Sequence, residues 1–213
     1  MDKPIIPQTL SLMENAEDIF KIIKEKEELT EIRLKNITVS DKRIAGFKIS
    51  NSRIENCKFL NCKFEKSSFM NVNIKSCDFS NSRMEETYMN RCEVNSAKWV
   101  GTNLNLSVIK HTSIKESVLR YANFNGAKLS NMEIIETLLA NAGLTDCKLS
   151  ALELDKVDFT EAIFFKTSLK GIDLRTCKLD GIEVSQNMAE LRGMIVNTYQ
   201  AAEFAKRLGI MVK

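Results

Sequence analysis

The sequence has little of what usually marks an enzyme or a metal protein. Among 213 residues there is one histidine, His111, and one tryptophan. No Cys-x-x-Cys pair, His-Glu-x-x-His helix or glycine-rich phosphate loop occurs, so the usual zinc, metalloprotease and nucleotide signatures are missing. Proline occurs twice, at Pro4 and Pro7, both ahead of the patterned body. No apolar run approaches the roughly 18 residues that a membrane-spanning helix needs. The opening MDKPIIPQTLSLMENAEDIF has no basic start followed by an apolar core, so no secretory signal is expected and the expected location is cytoplasmic. Net charge is small as well: 31 basic against 28 acidic residues leave +3, too little to imply a nucleic-acid partner by itself.

What is present is a repeat. Starting at Leu29 and stepping by five, the chain reads Leu29, Leu34, Val39, Ile44, Ile49, Ile54, Phe59, Phe64, Phe69 and so on to Leu179 and Val184. Every residue in this series is apolar, and neither the 3.6 period of a helix nor the 2.0 period of a strand produces it. The position two before each centre is mostly small, as at Ser52, Cys57, Cys62, Ser67, Ala97 and Thr102. The position two after is rich in Asn and Gly, as at Gly46, Asn51, Asn56, Gly101 and Gly126, residues that tolerate the positive φ of a type II turn.

Each pentad is therefore a short straight piece and a corner, with the large centre and the small residue pointing inward. Such pieces coil and stack at the β-sheet spacing of roughly 4.8 Å; four to a coil, the square section that the family resemblance given below implies, make about 20 residues per coil. Phe59, Phe79 and Trp99 should form one aromatic column. Each coil buries its neighbours' faces, so the ends need caps.

The six cysteines, Cys57, Cys62, Cys77, Cys92, Cys147 and Cys177, all fall at the small inward position and read as reduced core filler. Carboxylates are scattered over outward positions, and His111 reads as a solvated side chain. A regular rod offers no cleft to tune their pKa values, so no enzyme activity, cofactor or metal is expected.

The pattern resembles the pentapeptide-repeat family over about residues 44–185. The resemblance implies an all-β solenoid, a right-handed quadrilateral β-helix. Ser11-Leu-Met-Glu14 reads as a capping box opening a helix, with Leu12, Ala16, Ile19, Phe20 and Ile23 on its apolar face. A second helix is expected over 197–208, with Lys206 and Arg207 at its end and Gly209 beyond it. The expected divisions are a capping segment over 1–28, the β-helix over 29–186, and a C-terminal helix with dimerisation strand over 187–213.

The segment LRGMIVNTYQAAEFAKRLGIMV (191–212) looks like the C-terminal dimerisation segment of the quinolone-resistance (Qnr) proteins and their mycobacterial relatives. Ile210-Met211-Val212 is then a short apolar strand that either folds back over the last coil or docks on a second copy. In the second case Phe204, Leu208, Ile210, Met211 and Val212 make the homodimer contact. The same resemblance implies DNA gyrase or topoisomerase IV as partner, protection against fluoroquinolones, and DNA mimicry as one route to it. DNA mimics are acidic along their length, whereas residues 29–130 hold 17 basic and 9 acidic residues and only 131–186 are acidic, with 6 and 10. Nor does any loop break the register between 29 and 184.

The other surface feature is an apolar stripe. Leu60, Val100, Val118, Tyr121 and Leu138 are outward residues of pentads centred on 59, 99, 119 and 139, which lie multiples of 20 apart and share one face. They are the candidate partner patch, the alternative being ordinary scattered exposure. A generic cytosolic interaction scaffold is the competing functional reading. Direct nucleic-acid binding by the basic half is not expected, since exposed aromatics are few and no known motif is present.

Overall fold

The computed structural model describes residues 1–26 and 28–212. Residues 20 apart are parallel neighbours from coil to coil: Ile49 pairs with Phe69, Met89 with Ile109, and Ile109 with Leu129. The square has four faces. We number them by their centres: face 1 carries 49, 69 and 89; face 2, 54, 74 and 94; face 3, 59, 79 and 99; face 4, 64, 84 and 104.

The inward positions build the core the pentad pattern requires. Centres from Leu29 to Leu144 are all buried, and so is every small position from Ser52 to Cys147. Phe59 and Phe79 stack with ring centroids 5.0 Å apart, and Phe79 meets Trp99 edge to face at 5.6 Å. The six thiols are free and buried. Burial pushes the Cys92 thiol up to about 12 and Cys147 to about 11, so neither supplies a thiolate nucleophile at neutral pH.

The small position does more than save space. Its hydroxyls donate to carbonyls of the coil before: Ser82 to Phe59 O at 2.7 Å, Thr102 to Phe79 O at 2.9 Å, Ser107 to Met84 O at 3.0 Å. Some also accept a backbone N–H from the preceding coil, as Ser82 does from Cys62 and Ser117 from Ala97. These bonds remove the cost of burying hydroxyls in an apolar core.

The corners differ from expectation on half of the square. Positive φ does recur two residues after the centre, at Asn51, Asn61, Asn71, Gly101, Gly126 and even at Leu106 and Tyr121. Corners after faces 3 and 4 are closed turns, with Ser82 N bonded to Phe79 O and Ser107 N to Leu104 O. Corners after face 1 stay open as far as Leu149, and the one after Leu169 is closed by Ile172 N donating to Leu169 O. At the open corners strands such as Ser68–Lys75 and Lys128–Ile135 run from face 1 onto face 2, because backbone N–H groups ladder to neighbouring coils.

The N-terminus also departs from the reading above. Ser11–Met13 is a strand that pairs with Ile32–Leu34, not a capping box, and Leu12 is 56% exposed. The open edge of the first coil offers unpaired backbone groups, and a ladder satisfies more of them than a helix cap. Helix α1 begins at Ala16 and ends at Lys26; Asn15 Oδ1 accepts from Glu17 N at its start. It crosses the open end, burying Ile19 and packing Ala16, Phe20, Ile22 and Ile23 on the first coil.

At the other end the stacking opens. Strand Lys148–Asp155 pairs with Lys128–Ile135 and with nothing above it, and Asp173 bridges to Ile195 instead. Leu149, Leu152 and Leu154 are accordingly only half-buried, facing a slot of about 30 Å³ shared with Leu169, Ile172 and Leu174. Faces 3 and 4 stay laddered through this region, through Leu138–Asp158–Lys178 and Gly143–Ile163–Glu183.

Polar side chains finish the coil. Glu190 is buried and accepts from Lys166 N at 2.9 Å and from the Ser185 hydroxyl at 2.7 Å. Helix α2, Thr198–Arg207, opens with an Asn197/Gln200 capping box, and Gln200 Nε2 donates to Leu174 O and Cys177 O.

Candidate interaction surface

Outward side chains stack in columns, so a chemical property repeated every 20 residues becomes a stripe along the rod. On face 3 one column runs Lys58, Asp78, Lys98, Val118, Leu138, Asp158, Lys178. Val118 and Leu138 are direct neighbours in it, closed off by Lys98 and Asp158. Val100 lies one coil earlier on the same face, and Tyr121 occupies the corner of Val118's own coil, 62% exposed. The structure thus brings Val100, Val118, Tyr121 and Leu138 together. Leu60 falls two coils from Val100, with Ser80 between them, and stands apart from the group.

Face 4, beyond the Tyr121 corner, was not singled out from the sequence. Its outward columns begin charged: Arg43, Lys63 and Arg83 stack, and Arg83 makes ion pairs to Glu65 at 3.5 Å and Glu85 at 3.0 Å. Between Glu85 and Glu183 the two columns that flank the face 4 centres carry no charge. Asn103, Asn105, Asn123, Asn125, Gly143, Thr145, Ile163 and Phe165 follow in successive coils. The asparagines fasten one another and the backbone: Asn105 N donates to Asn103 Oδ1, Asn125 N to Asn123 Oδ1, and Thr145 N to Asn125 Oδ1. At the far corner Leu106 is exposed and lies over Gly126, where an added Cβ would stand 2.7 Å from the Leu106 Cδ2.

The result is a belt with apolar side chains on face 3, Tyr121 on the corner, a hydrogen-bonded amide surface on face 4, and Leu106 beyond. Arg120 is its one charged outward residue between Val100 and Thr145 on these two faces. In a chain with 28% charged residues such a gap is a signal, because the cores of protein interfaces are depleted of charge and hold exposed aromatics. The signal was readable in sequence as missing charge on one face, but only once face 4 was followed separately from face 3.

The C-terminal end presents the second surface. Leu208, Ile210, Met211 and Val212 are exposed, Met211 at 86%, and the tail neither forms a strand nor folds back over the last coil. Phe204 is half-buried and packs against its own chain's core. Among the described residues no cluster of three or more His, Cys, Asp or Glu is placed to hold a metal ion, and no helix is long and apolar enough to cross a membrane.

Comparison with known proteins gives a consistent picture. A family model described as a pentapeptide repeat region matches residues 52–124, and one described as pentapeptide repeats (8 copies) matches 142–181. No curated protein matches the chain. Among solved structures, one trypsin-treated form of QnrB1, a plasmid-mediated fluoroquinolone resistance protein, superposes with a TM-score of 0.51 at 20% identity, covering 87% of this chain and 94% of that one. A second such form gives 0.50 at 18% identity, covering 87% and 98%.

Proposed function

Because this chain belongs to the pentapeptide-repeat family, we propose that it is a non-catalytic rod that binds another protein through the charge-poor belt on faces 3 and 4. That belt is the observation that carries the reading. A surface of Val118, Tyr121, Leu138 and tethered asparagines leaves a partner only one charged side chain, Arg120, to accommodate when it covers the belt. The partner we assign is a DNA topoisomerase, gyrase or topoisomerase IV, with protection from fluoroquinolones as the consequence. Two things support it: the likeness in fold over nearly the whole QnrB1 chain, and the resemblance of 191–212 to the Qnr dimerisation segment. The exposed tail from Leu208 to Val212 fits a homodimer joined at the C-terminal ends, and the cytosol is where such partners are met.

A different cytosolic partner is the second reading, favoured by one observation. The Arg43–Lys63–Arg83 stack and the net charge of +3 do not present the negative surface of a DNA mimic.

The deciding experiment is gyrase supercoiling with ciprofloxacin, with and without this protein. Restored supercoiling supports the topoisomerase reading, and Tyr121→Asp should then abolish it. Inhibition without drug means binding without protection. No effect on either removes the topoisomerase assignment and leaves the scaffold. Separately, deletion of 209–213 should convert dimers to monomers by light scattering; an unchanged mass sinks the tail contact.

A further inference from the structure

Face 1 differs from the other three in the sign of its charge. Two outward columns flank its centres, and the ladder pairs their residues 20 apart as far as Lys148 and Ser150. From Lys48 to Lys170 these columns hold five lysines, Lys48, Lys110, Lys128, Lys148 and Lys170, and no carboxylate. Glu28 lies next to Lys48 in the coil before. The other faces mix signs and pair them: Arg33 with Glu55 and Lys115 with Glu133 on face 2, Lys178 with Asp158 on face 3, Arg83 with Glu65 and Glu85 on face 4. Among the described residues no ion pair involves a lysine of face 1.

The last four lysines come one to a coil. The corners beside them carry Asp146 and Lys166, which cancel. Residues 2–10 form a strap along the corner between faces 1 and 2, from Ser11, whose N–H donates to Glu31 O, to Asp2, whose N–H donates to His111 Nδ1 at 3.2 Å. The strap brings Asp2 and Lys3 together, so it adds no net charge. Counting charge along the chain hides this face. Lys128 and Lys148 are each followed five residues later by a carboxylate, Glu133 and Glu153, but those belong to face 2.

The chemistry of the face selects among anionic partners. Ser130 and Ser150 stack in the column beside Lys128 and Lys148. Lysine and serine are depleted where proteins meet, and both contact phosphate oxygens in nucleic-acid complexes. Met70, at 38%, is the one exposed large apolar residue of these columns, too little for an apolar face inserted into a membrane. Tyr88 is half-buried with Lys110 Nζ over its ring at 5.8 Å, so it offers no platform for unpaired bases.

We infer that face 1 binds the phosphate backbone of a nucleic-acid duplex, without reading bases, through Lys110, Lys128, Lys148 and Lys170. Phosphate contacts carry no sequence information, so neither a reading motif nor exposed aromatics are needed. Face 1 lies opposite face 3, and the inference does not rest on the belt or on its partner.

The test mixes the full chain with a fluorescein-labelled DNA duplex, and anisotropy reads the binding. Three to four phosphate contacts should make a threefold rise in salt weaken binding about 20- to 50-fold. Lys128→Glu/Lys148→Glu should weaken binding at low salt at least about 10-fold and lower the salt exponent by about 1.8. Arg43→Glu/Lys63→Glu makes the same change in net charge on face 4, beside Glu65, and should stay within about threefold of the unaltered chain. All four changes are to outward side chains, and unchanged melting temperatures establish that both variants fold. No binding of the duplex at low salt overturns the inference, as does an equal loss in the two variants. Tighter binding of single strands, phosphatidylserine vesicles or polyglutamate than of the duplex also overturns it and gives the face to that partner instead. Gyrase takes no part in these measurements, so their failure leaves the belt assignment untouched.

Discussion

The two ends of the rod solve one problem in opposite ways. At the N-terminal end α1 lays Ile19 and four partly buried apolar neighbours onto the first coil, beneath which Phe47, Phe64 and Phe69 pack edge to face or tilted. At the C-terminal end faces 1 and 2 come apart, Leu149, Leu152 and Leu154 are left half-buried, and the closure is made by the Glu190 carboxylate and the Gln200 amide. An apolar lid removes water from the core it covers; a polar clasp satisfies backbone groups but leaves the slot behind it thinly covered. The C-terminal end should therefore be the first part of the solenoid to open, consistent with nearest-neighbour stability in stacked repeats.

The body between the ends sets the scale for breaking this comparison. Phe79→Ala, in the middle of the aromatic column, should cost about 3–5 kcal/mol in denaturant titration, because the coils on both sides prevent collapse of the cavity. A loss as small as that of a surface change would refute the inward register. Ile19→Ala should cost about 2–3 kcal/mol, near the low end for a buried aliphatic, since the lid is covered on one side only.

Gln200→Ala removes two bonds to carbonyls of the last coil and should cost about 1–3 kcal/mol. The loss should appear in hydrogen exchange of residues 168–183 well before it appears in 49–69. Acid should act at the same place. Burial opposes ionisation of Glu190, but the Ser185 hydroxyl and backbone N–H groups hold its carboxyl below the ordinary range. A depressed pKa gives stability that is present above the unfolded carboxylate value near 4.3 and lost as pH falls through the folded one. Local exchange at Lys166 and Ser185 should rise below about pH 4 in the unaltered chain and already at neutral pH in Glu190→Gln. Uniform acid loosening along the rod would contradict the clasp.

The slot itself gives a finer contrast. Leu129 and Leu149 are partners on adjacent coils, one buried and one half-buried. Leu149→Ala should cost at least about 1 kcal/mol less than Leu129→Ala, because less apolar surface leaves water at Leu149. Smallest of all, Lys75→Ala at an exposed outward site should stay within about 0.5 kcal/mol.

Much of this was legible in the residues. The five-residue step located the centres, the thiols and the aromatic column, since a side chain's direction in a regular coil depends only on its place in the pentad. The Asn and Gly corners likewise followed from the left-handed φ they tolerate. What escaped is instructive at particular residues. Ser11 and Glu14 have the letters of a capping box, but the unpaired edge at Ile32–Leu34 recruits Ser11–Met13 into a ladder.

By itself the sequence determined the solenoid: an apolar centre every five residues with a small partner two before it has one way to bury itself, and that is to stack. Only the tertiary structure decided how the stack ends. Whether a terminal segment becomes a lid, a ladder strand, a strap along the outside or a polar clasp depends on which backbone groups and which faces the last coils leave unpaired, and those exist only after the body has folded.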